Sequence, residues 1–275
     1  MNHSNPVQGK GVLIDVTRCT GCGSCAAACR DAQGAGAERL SEKLRGDGLS
    51  GRRLSSVVSV GRGRHAKKQC LHCLTPGCVD ACLVGALTRT PEGAVVYDAD
   101  KCIGCRYCML SCPVSIPRYE WDKRAPLMKK CDLCSGRLRQ GLAPVCVGAC
   151  PEKALSFGSR EQLLMMARQR IAAQPGVYLS HIYGEKELGG TSVLYISDVP
   201  LEALGWPAIV GEQTMQSYTW PVMSKTPALG LGACGLLVGV NFIIRRRMKL
   251  QSLRAAAAAA PHPGADVGES EGDAR

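Results

Sequence analysis

A chain of 275 residues can form one large domain or two small ones. Aromatic residues make up only 4% and Phe occurs twice, so something other than rings must fill or cross-link the core; seventeen cysteines are the obvious means. The formal charge of +11 would suit nucleic acid, but no recognised nucleic-acid motif is present, which argues against that class.

Met1 to Arg18 has neither an apolar run nor a twin arginine and does not read as a signal peptide. Val12 to Val16 reads as a short apolar strand leading into the first cysteines. Residues 31–69, rich in Gly, Arg and Ser, read as an irregular surface insertion with a strand-like patch at Val57 to Val60. Cys70 to Pro151 is dense in Cys, Gly and Pro and should be loops and single turns. Ser159 and Gln162 form a capping box ahead of a helix to about Ala173, with Leu163, Met166, Ala167 and Ile171 on one face. Pro175 and Gly176 end it. The paired methionines Met165 and Met166 read as core filler. Thr191 to Ile196 is a second strand candidate.

Pro227 to Ile244 carries no charge, and at helical rise its length comes to about 27 Å, close to a hydrocarbon core. Arg245, Arg246, Arg247 and Lys249 follow at once, which favours a membrane span over a buried core helix. The expected division is a cysteine-rich domain over 1–215, an anchor over 216–250 and a disordered tail over 251–275.

Sixteen cysteines fall into four groups of four. Cys19, Cys22, Cys25, Cys29 and Cys102, Cys105, Cys108, Cys112 have the spacing of bacterial ferredoxins. Cys70, Cys73, Cys78, Cys82 and Cys131, Cys134, Cys146, Cys150 widen only the middle gap, and the final interval is always three residues. The odd total and the C-x-x-C spacing argue against disulfides. Three cysteines in a tight loop can reach one iron–sulfur cube, while the fourth leaves along a helical turn to a neighbouring cube. A zinc ribbon would need two separated pairs and leave no cysteine over. Four [4Fe-4S] clusters are therefore expected, and their anionic charge would offset much of the basic excess. Gly21 and Gly104 lie inside the first C-x-x-C of their groups, where they let backbone amides approach sulfur. His72 reads as a packed loop residue before a proton carrier, and Cys234 as a small apolar residue in the span. Nothing here reads as a catalytic residue. Gly61-x-Gly63 lacks the third glycine of a dinucleotide fingerprint.

A repeat supports the domain reading. Val12 to Asp15 precedes Cys19 by the same offset as Val95 to Asp98 precedes Cys102, and Ala86-Leu87 follows Cys82 as Ala154-Leu155 follows Cys150. The expected fold is α+β: loop-rich tandem ferredoxin-like modules, each for two clusters, plus one C-terminal transmembrane helix.

With these motifs, CTGCGSCAAAC, CLHCLTPGCVDAC, CIGCRYCMLSCP and CDLC to CVGACP, the chain resembles the four-cluster iron–sulfur (beta) subunits of respiratory membrane-bound [NiFe] hydrogenases and formate dehydrogenases. The likeness continues through SFGSREQLL and HIYGEKELGGTSVLYISDVPLEALG, and spans Gly11 to Arg247. It implies that Cys19, Cys22 and Cys25 share a cluster with Cys150, and Cys131, Cys134 and Cys146 with Cys29. Likewise Cys70, Cys73 and Cys78 would take Cys112, and Cys102, Cys105 and Cys108 would take Cys82. It implies a non-catalytic electron relay from a nickel–iron or molybdopterin catalytic subunit to a membrane cytochrome b and the quinone pool. Flow could also run in reverse, from quinol to a molybdenum-type reductase; a zinc or cluster protein without redox traffic is the rival class. The basic residues after the span put the cysteine domain on the periplasmic side of the inner membrane. Arg30 and Leu83 stand where a ferredoxin has proline, which leaves their local turns open. All sixteen ligands are present, so no three-iron cluster is expected.

Overall fold

The computed structural model describes residues 9–34, 46–201 and 211–258. The chain divides into two compact units, Met1–Tyr218 and Thr219–Arg275. In chain order the first unit holds β1 (Lys10–Asp15), α1 (Ser24–Ala32), β2 (Ser56–Gly61), β3 (Arg64–Lys68), α2 (Gly77–Asp80), β4 (Leu87–Arg89), β5 (Val95–Tyr97) and α3 (Tyr107–Leu110). It continues with β6 (Arg118–Tyr119), β7 (Met128–Lys129), α4 (Ser135–Leu138), α5 (Val145–Gly148), β8 (Leu155–Ser159), α6 (Arg160–Ala173) and β9 (Val193–Ile196). The unit boundary falls within α7 (Met215–Met223), and α8 (Thr226–Ala258) follows.

The α+β, ferredoxin-like expectation holds. β1 is the centre of a three-stranded sheet, antiparallel to β8 and parallel to β9. Its residues from Gly11 to Asp15 are buried because both faces are covered. Val12 and Ile14 join Leu155, Val193 and Tyr195 in the main core, while Leu13 meets Leu163 and Ala167 of α6. The capping box of α6 is formed: the Gln162 amide donates to Ser159 Oγ at 3.3 Å, and Gln162 Oε1 accepts from the Ser159 amide at 3.1 Å.

The repeat is visible in three dimensions. β1 pairs with β8, and β5 pairs with β4, in matching antiparallel ladders. The Asp15 amide donates to the Ala154 carbonyl at 2.8 Å, and the Asp98 amide donates to the Ala86 carbonyl at the same distance. The half built on β4 and β5 is thus enclosed, in chain order, within the half built on β1 and β8.

Two expectations need correction. The described part of 31–69 is not an irregular surface segment. Its β2–β3 hairpin runs from Ser56 to Lys68, and Leu49, Leu54, Val60 and Ala66 enter the main core. Few apolar residues mark this segment, and these four are buried. The Gly61-Arg62-Gly63 run is the hairpin turn, with all three residues at positive φ. The tail also begins later than expected, since α8 continues through Ala255 to Ala258 in keeping with the high helix propensity of alanine. The expected disorder beyond it lies outside the described residues.

Within the second unit, α8 carries the uncharged stretch and leaves its side chains exposed all round. The helical stretch Met215–Ala258 contains a window of mean hydropathy 1.9, long and apolar enough to cross a membrane.

Candidate metal centres

The C-x-x-x-C interval has a direct geometric meaning. Residues four apart on a helix share a face. On α1, Cys25 and Cys29 are both buried; α5 carries Cys146, with Cys150 just beyond its end. Cys78 and Cys82 are set in the same way on and after α2, and Cys108 and Cys112 on and after α3. α1 packs against α5, and α2 against α3. Each helix of a pair therefore sends one sulfur to either of two sites.

Cys19, Cys22, Cys25 and Cys150 line one cavity, together with Ile14, Lys67 and Leu155. Cys82, Cys102, Cys105 and Cys108 line another, with Leu87, Tyr97, Tyr119 and Met128. Between these lie two deeper sets. Burial raises the pKa of Cys134, and the nearby charges of Asp132, Cys146 and Cys29 add to the rise; Cys131, raised by burial first, also feels Cys29. Cys73 is similarly crowded by Cys70, Cys112 and Cys78. Neighbouring sets also lie within electrostatic reach of one another: Cys25 feels Cys146, Cys131 feels Cys70, and Cys78 feels Cys108. The four sets thus form one series. Cys22 and Cys105, in its two outer members, are exposed.

The thiols are poorly suited to standing alone. Burial first, then neighbouring cysteines, push Cys25 up to about 11 and Cys78 up to about 12. Burial likewise takes Cys112 to about 11. Metal binding would take the place of those protons. A zinc ion needs its sulfurs at about 2.3 Å from one point. Among the described residues, no three His, Cys, Asp or Glu converge closely enough to hold a single ion. Sulfurs set around cavities fit a cubane, which offers four separated irons to four thiolates.

A profile of the 4Fe-4S dicluster domain matches residues 64–160. The hydrogenase-2 operon protein HybA of Escherichia coli O157:H7 is 36% identical, over 89% of this chain and 87% of its own. The chain belongs to this family of iron–sulfur subunits. The nitrate-inducible formate dehydrogenase iron-sulfur subunit of Escherichia coli K12 is 35% identical over 67% of this chain and 66% of its own. The probable anaerobic dimethyl sulfoxide reductase chain YnfG of the same strain is 39% identical over 56% of this chain and 75% of its own. The chain is accordingly an iron–sulfur electron-transfer protein.

Its backbone is shaped around sulfur. The residue two places after the first cysteine of each group has positive φ: Gly21, His72, Gly104 and Leu133. The amides of Gly104 and Leu133 donate to the sulfurs of Cys102 and Cys131 at 3.4 and 3.5 Å. At Cys19, burial raises the thiol pKa and the Gly21 amide opposes the rise. Gly21 has a second constraint, because a Cβ there would meet the His65 ring at 2.7 Å. A second turn recurs after the fourth cysteine. Gly85, Ser115 and Lys153 have positive φ, and the next amides, of Ala86, Ile116 and Ala154, donate to Cys82, Cys112 and Cys150 at 3.2–3.4 Å. Leu83 therefore makes the turn without proline. Arg30 does not, because α1 continues to Ala32 and the Gln33 amide bonds to the Cys29 carbonyl instead.

His72 is fully buried and accepts from the Val95 amide through Nδ1 at 2.9 Å, so its Nε2 carries the proton. Burial, reinforced by Lys130, Arg89 and Lys67, lowers its pKa well below the ordinary imidazole value. It is a packed, neutral side chain. Its Nε2 and the Nε2 of Gln69 are buried donors with no protein acceptor among the described residues, as expected where inorganic sulfide would accept. The sequence reading missed Lys67, Gln69 and Lys130. Their positions before cysteines resemble ordinary basic or polar surface, and no periodicity marks them as buried.

Proposed function

We propose that this subunit carries four [4Fe-4S] clusters, bound by the sixteen cysteines in the four sets above. It passes electrons along them from a periplasmic catalytic subunit of hydrogenase or formate dehydrogenase type to a membrane cytochrome b and the quinone pool. The observation that carries this reading is the single series of four cysteine sets whose outer members open to the surface. Electrons can enter at one end and leave at the other without a substrate pocket. Exposed Ile103 and Leu83 lie beside Cys102 and Cys82, an apolar setting suited to a partner rather than to water.

The clusters would supply one-electron storage. The chain's own residues hold them in sequence, exclude water from the inner two, and aim amides at the sulfurs. Similarity to HybA supports the hydrogenase choice. The basic run Arg245 to Arg247 after the apolar stretch supports a cytoplasmic C-terminus and a periplasmic cluster domain. Such a domain would cross the membrane folded. Ending the chain at Tyr218 should free the complex from the membrane with its clusters intact.

A second reading reverses the flow, from quinol to a molybdenum-type reductase, and similarity to YnfG favours it. The metal of the co-purified catalytic subunit, nickel or molybdenum, separates hydrogenase from the molybdopterin partners. The cluster reading is tested by iron and acid-labile sulfide on anaerobically purified protein. About sixteen irons per chain are expected, with interacting signals in electron paramagnetic resonance on reduction. Zinc without sulfide in a folded sample would overturn it.

A further inference from the structure

Lys67 lies in β3, paired across the hairpin with Val57, and is 1% exposed. Its neighbour Lys68 meets Asp47 at 3.1 Å. Among the described residues Lys67 has no such partner: its Nζ donates to Gln69 Oε1, and its charge is felt by cysteines. It lines the cavity of Cys19, Cys22, Cys25 and Cys150, and also lies within electrostatic reach of Cys29, Cys131 and Cys146 of the adjoining set. The one carboxylate lining that cavity is Glu152, which is exposed. A buried ammonium without a counter-ion is strongly unfavourable. Among the described residues, the opposing charge within its reach is that of the two sulfur sites it borders.

We propose that the Lys67 ammonium is a fixed positive charge shared by the first two cluster sites, and that it raises the reduction potential of the clusters held there. The inference rests on the four-cluster reading. Reduction adds one electron, supplied by the neighbouring cluster, and takes a four-thiolate cubane from −2 to −3 with no bond made or broken. A nearby cation stabilises the more negative form and so favours uptake of the electron. Gln69 holds the ammonium in place through its amide oxygen. Lys67 is thus a positioning residue for charge, not a ligand.

The test is a potentiometric titration of the complex, followed by electron paramagnetic resonance, for wild type, Lys67→Gln, Lys67→Arg and Gln69→Glu. Lys67→Gln removes the charge and keeps a polar side chain. Gln69→Glu keeps the lysine but sets a carboxylate against it, so the test survives if the first variant fails to assemble. Both should shift the reduction equilibrium of at least one cluster about tenfold towards the oxidised form, about 59 mV for a one-electron couple. Lys67→Arg should lie near wild type. The distant cluster at Cys82, Cys102, Cys105 and Cys108 should not move and serves as an internal reference. Unchanged potentials in Gln69→Glu or Lys67→Gln, with full iron and sulfide, would overturn the proposal. Absence of iron and sulfide from the wild type would instead overturn the reading beneath it.

Discussion

The two halves of the cysteine domain share a ligand pattern but differ in what supports it. The outer half, built on β1 and β8, adds β9 as a third strand and packs α6 behind the sheet. The inner half has only short two-stranded ladders, β4 on β5 and β6 on β7, and, among the described residues, a cluster of five buried residues of its own, one of them Cys108, while Leu71, Ala94, Val114 and Ile116 join the main core. A two-stranded ladder this short has little stability of its own. The same arrangement of sulfurs can therefore rest on a conventional core or depend on its metal. The outer half should be of the first kind and the inner half of the second.

The sharpest way to break this contrast is to remove the metal. After chelation, amide protection should vanish across Leu87 to Tyr97, while β1, β8 and β9 keep measurable protection in hydrogen exchange. Equal loss in both halves would abolish the distinction. High pH should weaken the outer half as well. Burial pushes the Cys25 thiol, on α1 of the outer half, up to about 11 against an ordinary 9.0. Below pH 9 both folded and unfolded states keep this proton. Above it the unfolded chain sheds a proton that the folded chain retains, so the metal-free stability of the outer half falls between pH 9 and 11. The loaded protein, whose thiolates are bound, should be flat over that range in a denaturation series.

Smaller perturbations sharpen the outer side. Asp15 is fully buried and is held by Arg170 at 3.1 Å, the Tyr178 hydroxyl at 3.0 Å and Thr17 Oγ1 at 2.6 Å. Arg170→Ala should cost about 3 kcal/mol by leaving a buried carboxylate poorly paired, read by denaturant unfolding of the outer sheet. Ser159→Ala removes the cap of α6 and should cost about 1 kcal/mol by the same measurement. Least of all, Arg168→Ala breaks an exposed pair with Glu185 and should change stability by under about 1 kcal/mol.

Much of this was legible in the sequence, for identifiable reasons. The cap at Ser159, the strands around Val12 and Val193, and the constant C-x-x-x-C interval are local signals, and local geometry decides them. The β2–β3 hairpin was read only as a patch because its apolar residues are sparse and its buried lysine looks like surface. The αL positions at Gly21 and Gly104 announce themselves, whereas His72 and Leu133 adopt the same backbone with side chains that usually avoid it. Lys67 and Gln69 carry no signal, because what surrounds them comes from cysteines distant in the chain.

The nesting of one half inside the other also orders events during synthesis. All eight cysteines of the inner half have been made once Cys112 emerges, while the outer half must wait for Cys150. The half with the weaker scaffold is thus complete first, before the strands that will enclose it have been made.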